Sequence, residues 1–319
     1  MSNVLVTGGA GYVGSHVCKA LSMAGFQPVV VDNLSTGFQK NVKWGPFYKV
    51  DLRDYESTLG EIKKYEFVAA IHLAASAYVE ESQKHPLNYY ENNLLSTISV
   101  LRLLETLKVP NLVFSSSCAV YGENSKGELN EATPTKPINN YGRTKKMCEE
   151  IIANIGIVTG LKYISLRYFN ACGADLNGEL REEHEPETHV IPQLIDAGRN
   201  SSYFNVFGTD YPTSDGSAVR DYLHVSDLAA AHLASLRYLL ENGRSNIINV
   251  GSGKGRSVFD LVESARRIGL NPKVRFLPRR EGDPAELIAD ISLAREVLGW
   301  APKIQSLDEI LSSTLNSRS

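Results

Sequence analysis

Cysteine is scarce and scattered. Cys18, Cys118, Cys148 and Cys172 stand far apart with no C-x-x-C pair. A disulfide framework or a zinc site is therefore not expected, and reduced thiols are the default. Long hydrophobic runs are missing too: no stretch approaches the roughly 20 apolar residues of a membrane span. The opening MSNVLVTGG enters a strand-like run without the basic and apolar regions of a secretory signal. By elimination the expected location is the cytoplasm, with no membrane partner. Charge of one sign is not in excess, since the formal net charge is −3 and the basic clusters LPRREG and RTKK are short. That leaves no electrostatic footprint for nucleic acid. Internal repeats and low-complexity segments are absent. HEPETH at 184–189 gathers His and Glu without the helical spacing of a zincin and reads as a loop, so no metal is expected. GSGKGRS at 251–257 fails the phosphate-loop pattern and reads as a turn before a helix.

What is present is alternation. Apolar, β-branched runs at 3–7, 28–32, 47–52, 67–75, 111–117 and 161–170 predict strands. Helical spacing is found at 14–25, 55–65, 86–108 and 140–160, with Asn140 as the expected cap of the last. Fully apolar strands alternating with helices predict an α/β fold: a Rossmann-type, doubly wound parallel sheet covered on both faces. Beyond residue 170 the texture turns polar and irregular at 170–189 and 208–222, and long loops of this kind tend to be functional. The expected division is a nucleotide-binding domain at 1–170 and a smaller mixed α/β substrate region at 171–319, partly interleaved. Segments near 220–240 are expected to return to the first domain.

Directly after the first strand, TGGAGYVGSH spaces Gly8, Gly11 and Gly14 as G-x-x-G-x-x-G and opens a helix. Bare backbone and free helix N–H groups suit a pyrophosphate. The second strand ends at Asp32, 18 residues after Gly14. An acid there accepts both ribose hydroxyls of adenosine and repels a 2′-phosphate, which predicts NAD over NADP. Other strand ends put Asp51 and Leu52 near an adenine, and Leu73 and Ala74 beside the cofactor. Tyr12 and Val13 in the turn, Asn33 after Asp32, and Ser115 on the fifth strand complete the cofactor wall expected from this part of the chain.

The fifth strand runs out in VFSSSCAVYG, with Ser117 nearest the expected cleft, and the next helix opens with Tyr141 and Lys145 one turn apart. A lysine ammonium and an oxidised nicotinamide both favour a phenolate and would lower the pKa of Tyr141. Tyr141 is then a base for a substrate hydroxyl, Ser117 a hydrogen-bond partner of that hydroxyl, and Lys145 an anchor for the nicotinamide ribose.

Eight segments in order, VTGGAGYVGSH, VDNLSTG, VFSSSCAVYG, YGRTK, LRYFNACGAD, GTDYPTSDGSAVRDYLHVSDLA, NVGSGKGRSV and RREGDPAELIAD, resemble the UDP-glucose 4-epimerases, a family of extended short-chain dehydrogenases/reductases. The resemblance implies a tightly held NAD that is regenerated each turnover. It implies that Tyr141 removes the proton of a sugar 4-hydroxyl as C4 gives up hydride, and that the 4-keto sugar swings about its pyrophosphate before hydride returns to the other face. It also implies further contacts: Asn92 and Tyr168 to the cofactor, Asn170 to pyrophosphate or sugar, and Arg220 and Arg280 to the two phosphates. Asp283 would meet the uridine ribose, and His189, Val190 and Phe207 would lie along the nucleotide. A homodimer through 86–108 and 140–157 follows by the same analogy. Two positions depart from the pattern. Ala77 replaces a lysine that some members carry near the cofactor, and Leu287 stands at the gate beside the hexose. Nucleotide-sugar dehydratases and decarboxylases carry an acid just after the catalytic Ser/Thr, where this chain has Cys118 and Ala119. Epimerases of other UDP-sugars and a silent NAD-binding protein are the remaining alternatives.

Overall fold

The first half of the chain alternates as its apolar pattern predicts. The computed structural model describes residues 1–123, 127–183, 187–280 and 283–317. Its first half runs β1 (Ser2–Thr7), α1 (Tyr12–Met23), β2 (Phe26–Asp32), β3 (Phe47–Lys49), α2 (Tyr55–Ile62), β4 (Phe67–His72), α3 (Val79–Lys84), α4 (Pro86–Thr106), β5 (Asn111–Ser115), α5 (Asn140–Thr159) and β6 (Lys162–Tyr168). The second half runs β7 (Asn170–Cys172), α6 (Val190–Arg199), β8 (Tyr203–Phe207), β9 (Val219–His224), α7 (Val225–Leu240), β10 (Asn246–Val250), β11 (Gly255–Ser257), α8 (Val258–Arg267), β12 (Lys273–Leu277), β13 (Glu286–Leu287), α9 (Ser292–Leu298) and α10 (Leu307–Ser317).

Strands β10-β6-β5-β4-β1-β2-β3 form one sheet in that order, every pairing parallel. The winding reverses between β1 and β4, so a crevice opens beyond their carboxyl ends, where open α/β sheets bind ligands. Side-chain alternation sorts the core. Val4 and Val6 of β1 face α1 and α7 through Val17, Leu21, Leu228 and Leu236. Leu5 faces the other way, against Val100 and Leu104 of α4 and Ile152 of α5.

Three expectations need correction. The helix cap is Asn139, whose side chain accepts from the Gly142 amide at 2.7 Å, while Asn140 bonds the Ser82 carbonyl. The run NIINV is a seventh strand, β10, recruited from far along the chain by pairing with β6. Parts of both polar stretches are strand as well: β7 and β9 pair with each other, and β9 also pairs with β11 and β13. A third cluster, around Leu194, Phe204, Leu261 and Leu311, forms the core of this second region.

Buried Asp221 ties the regions together. Its carboxylate accepts from the amides of Ser252 (2.6 Å), Gly253 (3.0 Å) and Ala289 (3.2 Å) and from the Ser252 hydroxyl (2.6 Å). Replacing it with alanine leaves those donors without an acceptor in a dry interior. Asp221→Ala should therefore lower unfolding free energy by about 3 kcal/mol or more. Chemical denaturation reads this, and a loss below about 1 kcal/mol would refute the assigned weight.

Candidate active site

The crevice at the reversal point is a cavity of about 470 Å³. Its floor is the turn between β1 and α1. Gly8 has φ of +76°, and a Cβ there would lie 2.6 Å from the Ala74 amide nitrogen. A Cβ on Gly14 would lie 2.0 Å from the Gly8 carbonyl oxygen. Both positions exclude a side chain, so the turn brings bare backbone against the cavity at the start of α1. Gly11, Tyr12 and Val13 line the same edge, and the Tyr12 hydroxyl donates to the Gly173 carbonyl at 2.6 Å.

At the end of β2, Asp32 accepts the amides of Ala10 (3.0 Å) and Leu34 (2.8 Å) and borders the cavity beside Asn33. Burial pushes its carboxyl up, and these two donors oppose the shift. Asp51 and Leu52 also line the cavity. Arg53 grips the Asp51 carboxylate with Nε at 3.0 Å and Nη2 at 2.7 Å, and that contact pulls the acid down to about 2. Leu73, Ala74, Asn92 and Tyr168 also border the space.

Ser117 and Tyr141 both line the cavity, hydrogen-bonded to each other. Asn139 starts α5 there, so Tyr141 sits in the first turn and Lys145 one turn deeper. Lys145 is 3% exposed and lies behind the wall; its Nζ donates to the Ser115 carbonyl at 2.7 Å and is 5.9 Å from the Tyr141 ring centre. The expected lowering of the Tyr141 pKa by Lys145 is not produced by this arrangement. Burial pushes the Tyr141 phenol well up, neighbouring Tyr168 adds to the rise, and the Ser117 hydroxyl opposes it. Burial also pushes the Lys145 ammonium down to about 8, against the pull of Cys148 and Glu149.

The second region supplies the opposite wall. Asn170, His189, Arg220, Asp283 and Leu287 all reach the cavity. Arg220 pairs with Asp283 and also donates to the Val219 carbonyl at 2.7 Å. Besides Lys145, four expected contact residues do not line the cavity. Ser115 is fully buried, with its hydroxyl on His232 at 2.8 Å. Val190 starts α6 and packs on the second core. Arg280 stacks over Phe207, 3.8 Å from the ring centre, so the two satisfy each other at the end of β8.

Several lining residues were not anticipated. Cys118 and Ala119 follow Ser117 into the wall, and adjacency alone could have suggested them. Glu182 has a side chain only 2% exposed and faces His189 Nδ1 at 3.2 Å, with Glu187 at 3.1 Å from the same nitrogen. These three donor groups converge within 4.8 Å. No local pattern in the polar stretch marks this; residues 184–186 of HEPETH lie outside the described residues.

The NAD dependent epimerase/dehydratase family model matches residues 4–251. The chain belongs to that family. The UDP-glucose 4-epimerase of Rhizobium meliloti strain 1021 is 46% identical over 305 residues, covering 95% of this chain and 93% of the relative. The UDP-glucose 4-epimerase of Brucella ovis in complex with NAD superposes with a TM-score of 0.95 at 45% identity, over 99% of this chain and 98% of that one. The Stenotrophomonas maltophila UDP-glucose-4-epimerase with bound NAD and formylated UDP-arabinopyranose gives 0.96 at 36% identity, over 100% and 98%.

The cofactor of this epimerase/dehydratase member is NAD, and the residues present fit it. A turn that admits no Cβ at Gly8 or Gly14 and a carboxylate at the end of β2 border one continuous cavity. An Asp32→Ala variant loses charge-assisted acceptors for a ribose. At about 1.5–3 kcal/mol this predicts roughly tenfold to hundredfold weaker retention of NAD, read by titration and by NAD released per denatured chain. Unchanged NAD content would contradict the assignment of Asp32.

Proposed function

We propose that this protein is an isomerase that interconverts UDP-glucose and UDP-galactose by inverting C4, through a transient ketone and with no net oxidation. One observation carries this reading: Ser117 and Tyr141 form the wall of a nucleotide cleft whose next two positions are Cys118 and Ala119. Without an acid there, a dehydratase lacks the proton donor that eliminates water. The relatives named above, carrying the UDP-glucose 4-epimerase activity in their names, support the same reading.

Bound NAD supplies a hydride acceptor that returns what it takes, and the positive charge of its oxidised ring. The chain does the rest. Tyr141 accepts the proton of the sugar 4-hydroxyl and later gives it back. Ser117 hydrogen-bonds that oxygen and orients it. Lys145 contributes a nearby cation from behind the wall. Arg220 holds the pyrophosphate, with Asn170 and His189 beside it, because a planar guanidinium fork matches phosphate oxygens. Asp283, which lines the cavity, takes the uridine ribose; Val190, Phe207 and Arg280 lie off the cavity and are assigned no contact with the nucleotide. Tyr141 is the member whose loss is felt most. Incubation with UDP-glucose should yield UDP-galactose with no build-up of reduced cofactor. Tyr141→Phe should cut turnover by about 1,000-fold with NAD still bound. Reduced cofactor rising in step with product would replace the isomerase with a dehydrogenase, and normal turnover by the variant would remove Tyr141 from its role.

We further propose a cytoplasmic homodimer. Among the described residues no helix is long and apolar enough to cross a membrane, and the four cysteines are free thiols, which suits a reducing compartment. Helices α4 and α5 lie side by side and expose Leu95 and Ile98 on one, Met147 and Ile155 on the other. Exposed apolar side chains on both helices support pairing with a second copy. Sedimentation should give the mass of two chains, and Leu95→Glu combined with Met147→Glu should give one. A wild-type protein that sediments as one chain would refute the dimer.

A further inference from the structure

A buried ionic network lies directly behind the proposed proton-transfer residues. Arg167 on β6 clasps Glu149 on α5 with Nε at 2.9 Å and Nη2 at 2.7 Å, and both side chains are under a tenth exposed. The Ser116 hydroxyl donates to the same carboxylate at 2.5 Å. Arg167 Nη1 continues to the Tyr121 hydroxyl at 3.1 Å, and that hydroxyl donates to Asn249 on β10 at 2.6 Å. Asn249 Nδ2 reaches the Leu129 carbonyl at 2.7 Å. Leu129 bridges to the segment after β13 through Ile288 and Asp290.

The ends of this chain are what matter. Ser116 precedes Ser117, Glu149 stands one helical turn beyond Lys145, and the far end abuts Leu287, which lines the cavity. Stability alone does not explain it. Removing two charges from water is expensive, and well-packed apolar pairs of similar volume are often as stable or more so. Chemistry, by contrast, depends on fractions of an ångström in the placement of reacting groups.

We infer that Glu149 and Arg167 are positioning residues, fixing Ser117 and Lys145 relative to Tyr141 and tying that arrangement to the segment that carries Leu287. The inference rests on the epimerase reading above. Glu149 has an electrostatic part as well, since its charge helps keep Lys145 protonated. Lys145 also faces Tyr141 and Cys148 on its own helix, Phe114 and the Ser115 carbonyl on β5, and His72 on β4. Within that set, a Glu149→Gln change alters one charge and little shape.

The test uses the holoenzyme and two variants, with kcat, KM, NAD content and thermal midpoint measured on each. Glu149→Met combined with Arg167→Met should keep its midpoint, its NAD and its KM for UDP-glucose near wild type, while kcat falls about 100-fold. Glu149→Gln, which keeps its shape should the double variant fail to fold, should move the alkaline limb of the kcat profile to lower pH. Lys145 then loses its proton earlier. The inference is overturned if the folded double variant keeps wild-type kcat, if its activity falls only as far as its folded or NAD-loaded fraction, or if Glu149→Gln leaves the alkaline limb in place. A wild-type enzyme that does not epimerise UDP-glucose would sink the functional reading itself; active variants beside an active wild type overturn the pair alone.

Discussion

Burial works on the two central side chains in opposite directions and for one reason: a dry site disfavours whichever form is charged. It raises the phenol of Tyr141 and lowers the ammonium of Lys145 to about 8. The Lys145 ammonium is turned to the Ser115 carbonyl rather than to the phenol oxygen. By its own groups, then, the protein holds Tyr141 neutral. In the proposed mechanism a base is needed only when a sugar hydroxyl and an oxidised nicotinamide are both present, and the cation of that ring would supply the missing charge. Reactivity is thereby tied to cofactor state, which suits a reaction that must take a hydride and give it back before releasing product.

The rest of the architecture delivers that pocket. Parallel strands end on one edge, their winding reverses between β1 and β4, and the glycine turn, Asp32 and Ser117 all fall on that edge. The second region closes the other side with Arg220 and Asp283, and Asp221 next to Arg220 anchors that wall to the turn at 251–253. Cavity-lining Arg220 and the buried anchor Asp221 are neighbours on β9 because side chains alternate along any strand.

Much of this was legible in the sequence where the signal is local. The glycine spacing, the acid at the end of β2, and Tyr141 one turn before Lys145 are short-range patterns with a fixed geometric meaning. The doubly wound sheet followed from apolar runs broken by helical spacing. What depends on distant pairing was not legible. β10 is a strand because β6 is beside it, and Glu182 faces the cavity because a polar stretch folds back on His189. Likewise Arg53 could not be foreseen as the partner of Asp51, nor Arg280 as the partner of Phe207, since either arginine reads equally well as a solvated cation. The upward push of burial on Tyr141 was not legible either, because spacing reveals a neighbouring cation but not the depth at which both groups are buried.

The central claim concerns what charges Tyr141, and it can be measured without turnover. Carbon-13 labelling of tyrosine, with Tyr141→Phe to assign the signal, allows the ionisation of this one phenol to be titrated in the enzyme loaded with oxidised NAD and again after the cofactor is reduced in place. The account predicts a much lower pKa with the oxidised cofactor and a return upward on reduction. The same pKa in both states would contradict it.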